Sequence, residues 1–267
     1  YITERNYKNN LASFKNYKKP FKLILFNDFE STYNKQLNYI PLLGYNLYDG
    51  LMPGITLTNI TLIKKPFSYK IKPFYSSKQK KILGSMNLKY TKYNENKKLF
   101  STQYFISGST FHYKENLSYT SLFPSITFTF RNSDLRSNFR QFLNLRYISI
   151  YREENIDQQK YPNYNIFNAK YILTNSNGGK GFTLNSDLQI SKSFVKTSFT
   201  GMYRNYYKDN RQYNFRLFIG KFLYNSTDDD YFSFSTYRAR DYMFNYNLLG
   251  RSETTGFYSQ QFISSEG

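Results

Sequence analysis

The chain has no cysteine, no tryptophan and a single histidine in 267 residues. Without cysteine there can be no disulfide, thiolate nucleophile or Cys-ligated zinc, although either redox compartment suits such a chain. With His112 alone, a His-Glu-x-x-His zinc motif cannot be built, and a Ser-His-Asp triad would have to use that one residue. Long hydrophobic runs are missing too. A helical span needs ~20 consecutive apolar residues, and the longest runs here resemble Leu23 to Phe26. A helical membrane protein is excluded. Acidic residues are scarce: Asp plus Glu number 18 against 37 Lys plus Arg, for a net charge of +19 and a pI near 9.7. Such an excess can mark a nucleic-acid binder. Here the cations are spread along the chain without a block, and Lys outnumbers Arg beside abundant Asn, the codon bias of an AT-rich genome. No nucleic-acid partner is expected.

What the chain has instead is 29 Tyr and 26 Phe. Aromatics at that density exclude a disordered chain. They are distributed in a period of two, which a strand shows when its two faces meet different surroundings. Ile82, Gly84, Met86, Leu88 and Tyr90 alternate with Ser85, Asn87, Lys89 and Thr91. Phe182, Leu184, Leu188 and Ile190 alternate with Thr183, Asn185, Asp187 and Gln189. Phe67, Tyr69, Ile71 and Tyr75 oppose Ser68, Lys70, Lys72 and Ser76, and Leu122, Ile126, Phe128 and Phe130 oppose Ser125, Thr127, Thr129 and Arg131. Weaker alternation covers 138–152, 164–174, 196–206 and 212–224.

These segments run about ten residues, near the ~9 to 11 that a tilted strand needs to cross a bilayer and longer than the ~5 to 6 of soluble sheets. The expected fold is therefore all-β: an antiparallel transmembrane β-barrel segment of about twelve to fifteen strands. Its polar face would turn Lys70, Lys72, Lys89, Arg140, Arg146, Lys170, Asp187, Lys196, Arg204 and Arg216 toward a lumen. Its apolar face would turn Ile82, Met86, Leu88, Ile126, Phe128, Leu184, Leu188 and Ile190 toward lipid. Tyr90, Tyr93, Tyr104, Tyr147, Tyr151, Tyr206, Tyr207 and Tyr224, near strand ends, suit the aromatic girdles of such a barrel. Short connections, among them a type I′ turn at Asp49-Gly50, are expected to alternate with longer polar ones at 109–120 and 153–163. The connection from Asn27 to Gln36 is longer than that pattern predicts.

Sites for chemistry are few. His112, between Phe111 and Tyr113, reads as a solvated loop or girdle histidine. Asp228-Asp229-Asp230 could hold calcium in a loop, but lacks the alternating ligands and fixed Gly of an EF-hand and reads as a solvated acidic run. Asn175 to Gly181 (NSNGGKG) has the glycines of a phosphate loop without its Gly-Lys-Ser/Thr ending, and precedes a strand instead of a helix; it reads as a turn. No catalytic residue, metal site or cofactor is expected in this segment.

Four stretches carry a resemblance: GYNLYDGLMPG (44–54), FRNSDLRSNFRQFLNLRYISIYRE (130–153), RLFIGKF (216–222) and GRSETTGFYSQQFISSEG (250–267). In this order they resemble the C-terminal outer-membrane β-barrel region of gluzincin-type (aminopeptidase N-like) metallopeptidase proteins of Bacteroidota, over 21–267. The resemblance implies the outer membrane of a Gram-negative bacterium, a zinc peptidase-like domain upstream and further strands downstream. It implies that residues 1–20 are a linker or the end of a preceding domain, and that 21–267 is a barrel segment truncated at its C-terminal side. No zinc ligand or catalytic glutamate of the peptidase has a counterpart here.

The expected function is that of a membrane anchor or scaffold for the peptidase-like domain, with a basic lumen available for transport or protein handling. Its partners would be outer-membrane lipid and other outer-membrane or periplasmic proteins. The alternative is a soluble or cell-surface β-sandwich that binds glycans through its aromatics, which would need two sheets packed about 10 Å apart. A TonB-dependent receptor would need a plug domain that this sequence does not contain.

Overall fold

A computed structural model describes residues 20–25, 34–61, 64–94, 98–134, 136–153, 163–207, 211–227, 230–234, 242–245, 248–250 and 261–263. Residues 1–19 of the expected 1–20 linker and most of the 250–267 motif lie outside them. Among the described residues there is no helix. The strands are β1 (Phe21–Leu25), β2 (Lys35–Asn46), β3 (Gly50–Thr58), β4 (Phe67–Tyr75), β5 (Ile82–Tyr93), β6 (Leu99–Lys114), β7 (Leu117–Arg131), β8 (Arg140–Arg152), β9 (Tyr164–Ser176), β10 (Lys180–Ser191), β11 (Phe194–Tyr207) and β12 (Arg211–Asn225). They form one sheet in chain order, antiparallel throughout except for the parallel β1–β2 pair. Among the described residues β1 and β12 do not meet, so this barrel-like sheet is open. Two short strands, β13 (Leu248–Gly250) and β14 (Gln261–Ile263), pair with each other alone.

The period-two segments of the sequence are strands, several of them longer than the alternation showed: β7, 15 residues, begins at Leu117 instead of Leu122, and β6, 16 residues, runs through a stretch where no such segment was expected. The extension removes one expected feature. The supposed long connection at 109–120 is strand on both sides of a two-residue turn, Glu115-Asn116. Cross-strand hydroxyl pairs, Ser109 with Ser121 at 2.8 Å and Thr120 with Thr110 at 3.3 Å, replace the apolar signal there. Nor do short and long connections segregate. The short turn at 115–116 and the long connection at 153–163 sit at the same end of the sheet, because alternate hairpins of a meander share an end.

The Asp49-Gly50 turn differs too. β2 and β3 are joined by Leu47-Tyr48-Asp49, and Asn46 pairs with Gly50. Gly50 has φ +69° while Asp49 is not left-handed, so the turn is a three-residue loop closing on a left-handed glycine, not type I′. The long connection after β1 also has a cause: a strand parallel to its successor requires the chain to return to its starting end.

Partners across an antiparallel ladder point to the same side of the sheet, so the register assigns two faces from β2 to β12. One carries Tyr39, Leu43, Ile71, Ile82, Leu88, Ile106, Ile126, Leu145, Phe167, Leu184 and Phe199. From β3 to β11 its only cations, Lys92 and Lys180, stand at strand ends. Most of these side chains are exposed, Ile82 to 75%, and Tyr39, Leu88, Ile126 and Leu145 are half-buried. We call it the open face. Gly84 lies on it with φ +141°, and a Cβ there would stand 2.0 Å from the Lys72 carbonyl oxygen, so β4 and β5 approach as closely as they do only around glycine.

The opposite face is partly covered. Ile148, Ile150, Tyr164, Ile166 and Phe194 point to it from β8, β9 and β11. Tyr231, Phe232, Tyr242 and Met243, from beyond β12, close over them. The protein's hydrophobic core is this cluster, at the end of the sheet that holds the 115–116 and 192–193 turns.

Candidate functional site

The covered face gathers the charge. Lys70 pairs with Asn87 and Lys72 with Ser85, while Lys89 pairs with Ser68, so three ammonium groups share one patch of β4 and β5. Arg131 and Arg140 are direct cross-strand partners. Asn144 pairs with Lys170, Arg146 with Asn168, and Asp187 with Lys170. Gln189 pairs with Lys196, Gly181 with Arg204, and Met202 with Arg216. All ten polar candidates therefore share the covered face, and all eight apolar candidates lie on the open one. Of the expected girdle tyrosines, Tyr90, Tyr104, Tyr147 and Tyr151 are on the open face, and Tyr90 stacks on Tyr104 with ring centroids 6.2 Å apart. Tyr93 and Tyr206 belong to the covered face by register.

Within the twelve strands, among the described residues, Asp187 is the only carboxylate. It is committed locally: Asn168 Nδ2 donates to it at 3.0 Å and Gln189 Nε2 at 2.7 Å. Arg140 turns its guanidinium to the carbonyls of Ser137 and Phe139. Arg131 lies over the Phe100 ring at 4.2 Å.

Lys196 differs from the other cations. It is 3% exposed, and its Nζ donates to the Phe232 carbonyl at 2.5 Å. Phe234 and Tyr242 hold it on one side, 4.5 and 4.8 Å from their ring centres, and Phe222 and Phe194 flank it at 5.2 and 5.6 Å. Cation–π attraction strengthens in so dry a setting. Tyr242 donates its hydroxyl to Gln189 at 2.7 Å, and the Tyr164 hydroxyl donates to the Tyr242 carbonyl at 2.8 Å. Lys196 is thus the pin of an internal cap, where the sequence suggested a solvated lining residue.

His112 is not a loop residue. It lies in β6, 1% exposed, with Nδ1 2.5 Å from Oδ1 of the fully buried Asp49. Its backbone N–H donates to Asp49 Oδ2 at 3.3 Å, and its carbonyl accepts from Asn46 Nδ2 at 3.0 Å. The β2–β3 turn is clamped to β6 across the β4–β5 turn, where Ser76 Oγ and the Lys78 N–H donate to the Asp49 carbonyl. The Asp49 carboxylate holds both the His112 ring and its backbone N–H, which is the work of a clamp, while His112 Nε2 is buried without a hydrogen-bond partner.

Asp228 and Asp229 lie outside the described residues. Among the described residues no three His, Cys, Asp or Glu side chains gather as metal ligands. Asn175 to Gly181 contains the β9–β10 turn, with Gly178 at φ +84° and Asn177 Oδ1 accepting the Lys180 N–H at 2.9 Å.

The sequence reading missed the cap and the clamp. Tyr231, Phe232 and Phe234, a dense aromatic run after the last long strand, were the available signal for the cap. For the clamp there was none, since 63 residues separate Asp49 from His112. Comparison with protein-family models, curated proteins and solved structures returns no match.

Proposed function

We propose that this chain is the wall of an outer-membrane β-barrel, serving as anchor and scaffold for a peptidase-like domain in the same protein. The observation that carries the reading is the division of faces. A water-soluble sheet covers its apolar face and wets its polar one. Here the second layer lies on the basic face, and the apolar face, free of Lys and Arg from β3 to β11 except at strand ends, has no second layer among the described residues. Hydrocarbon is the surrounding in which that arrangement has low energy. Strand lengths of 12 to 16 residues from β5 to β12 exceed the ~9 to 11 required to cross. The four motifs of the sequence support attachment to a gluzincin-type peptidase of Bacteroidota. A glycan-binding sandwich would need a second sheet against the open face, and among the described residues none is there.

The test is fractionation and gel mobility. The protein should sediment with outer membranes, require detergent for release, and migrate faster on a gel when unheated than after boiling. Recovery in the soluble fraction without detergent would overturn the reading.

A further inference from the structure

We infer that the cap beyond β12 is an internal plug, seated at Lys196 and Gly220, that bars passage through the barrel. The inference rests on the anchor reading, which makes the covered face the lining of a lumen. At about eight strands side chains alone fill a barrel, and wider ones hold water unless part of the chain folds inside. A wall with the twelve strands of this sheet is therefore either permeable or plugged.

The cap touches six successive strands of the lining. Its second stretch, 242–245, reaches β7, where the Phe123 and Phe244 ring centres are 4.9 Å apart, and β8, where Arg146 Nη2 donates to Asn245 Oδ1 at 2.9 Å. Tyr242 joins it to Tyr164 of β9 and Gln189 of β10. Its first stretch, 230–234, reaches β11, with the Phe232 and Phe194 ring centres 4.8 Å apart, and β12, with those of Phe234 and Phe222 5.2 Å apart. At ~4.8 Å between neighbouring strands, these contacts subtend about 24 Å of wall. Ring packing continues onto a seventh strand, because Tyr119 of β7 packs against the cluster and lies 5.0 Å from the Phe111 ring of β6. A segment tied to more than half of a twelve-stranded wall lies across the lumen.

The wall is shaped to receive it. Gly220 of β12 pairs with Ser198 on the covered face, and a Cβ there would stand 3.0 Å from the Phe234 ring. Phe234 thus sits close against bare backbone, a place that a larger residue would take from it. The interior of the cluster is dry and closely packed, which leaves solutes no path through it. Four hydrogen bonds tie the cap to side chains of the wall, at Arg146, Tyr164, Gln189 and Lys196. Water replaces such bonds when they break, whereas the strands keep their own backbone ladders. The plug can leave while the wall stands.

The experiment reconstitutes the full chain into planar bilayers in potassium chloride, beside Lys196→Glu and Gly220→Leu. Flotation with vesicles and the heat-dependent gel shift verify insertion and fold, and protease cutting within 230–245 reports whether the cap is seated. The wild type should float, resist cutting and carry no current above that of the bare bilayer. Each folded variant should be cut and should conduct in steps. If Lys196→Glu fails to fold, Gly220→Leu, which only adds a side chain to a strand, carries the comparison. A wild type that conducts as the variants do would overturn the plug and leave the anchor standing, as would a folded, cut variant that stays silent. Variants as resistant to cutting as the wild type would show that Lys196 and Gly220 do not seat the cap, and would overturn it too. A protein that does not float with vesicles ends the anchor reading and the plug with it.

Discussion

Glu153 follows β8 directly, and its Oε2 accepts the Ser118 backbone N–H at 2.9 Å, while its own N–H donates to the Ser118 carbonyl. The Ser118 amide, and then its hydroxyl, hold the Glu153 carboxyl below its ordinary range. A group whose folded pKa is depressed stabilises above its unfolded value and loses that contribution as pH falls through the folded one. Glu153→Gln should therefore lower the thermal midpoint near neutral pH, and the gap between wild type and variant should close as pH drops below about 4. Glu153 is only half-buried at the strand end, so solvent screening keeps the effect small. A gap that does not change with pH would show that the charge of Glu153 contributes nothing. Residue positions such as this were the least legible part of the sequence. Face assignment needs only parity, and parity placed Lys70, Arg146 and Leu184 on the sides they occupy. His112 and Lys196 depend on which distant segment folds onto them, and no local pattern encodes that.

Among the elements, the cap after β12 behaves unlike a loop. Tyr231, Phe232, Tyr242 and Met243 are all 9% exposed or less, and the segment is tied to the wall through Lys196, Gln189 and Tyr164. A buried cation can often be exchanged for an apolar side chain of similar length with little net change, whereas reversing its charge is severe. Lys196→Met should keep the ring packing and give up the bond to the Phe232 carbonyl, for a loss of about 1 kcal/mol. Lys196→Glu would set a carboxylate against that carbonyl and the faces of four rings, and should release the cap while the sheet persists. Protease cutting within 230–245, compared with cutting in the sheet, is the readout. Equal resistance of Lys196→Glu and wild type would mean that the lysine does not pin the cap. Strands were legible at this scale because alternation is local. The β6–β7 tip was not, because Ser109, Thr110, Thr120 and Ser121 are polar on both faces and satisfy each other across the ladder.

For the whole molecule, the decisive quantity is what surrounds the open face. Leu145 stands near mid-length of β8, facing outward between Ile126 and Ala169. Asn185, on the covered face of β10, lies two residues from Asp187. In hydrocarbon, an arginine at the mid-plane of the outer face costs about 2 to 4 kcal/mol, while one in a lumen does not carry that penalty. Leu145→Arg should therefore lower folding stability in lipid vesicles by roughly that amount, and Asn185→Arg, beside a carboxylate, by less than about 1 kcal/mol. On a soluble protein the order reverses. Arginine at Leu145, half-buried by its strand neighbours on the face without a second layer, would reach water and be nearly neutral, whereas at Asn185, half-buried on the covered face with its Oδ1 enclosed, it would crowd its neighbours. Equilibrium unfolding of the two variants in vesicles gives the sign of that difference. An asparagine variant less stable than the leucine variant would remove lipid from the open face. The membrane reading would fall with it, while the register and the aromatic cap would remain as they are.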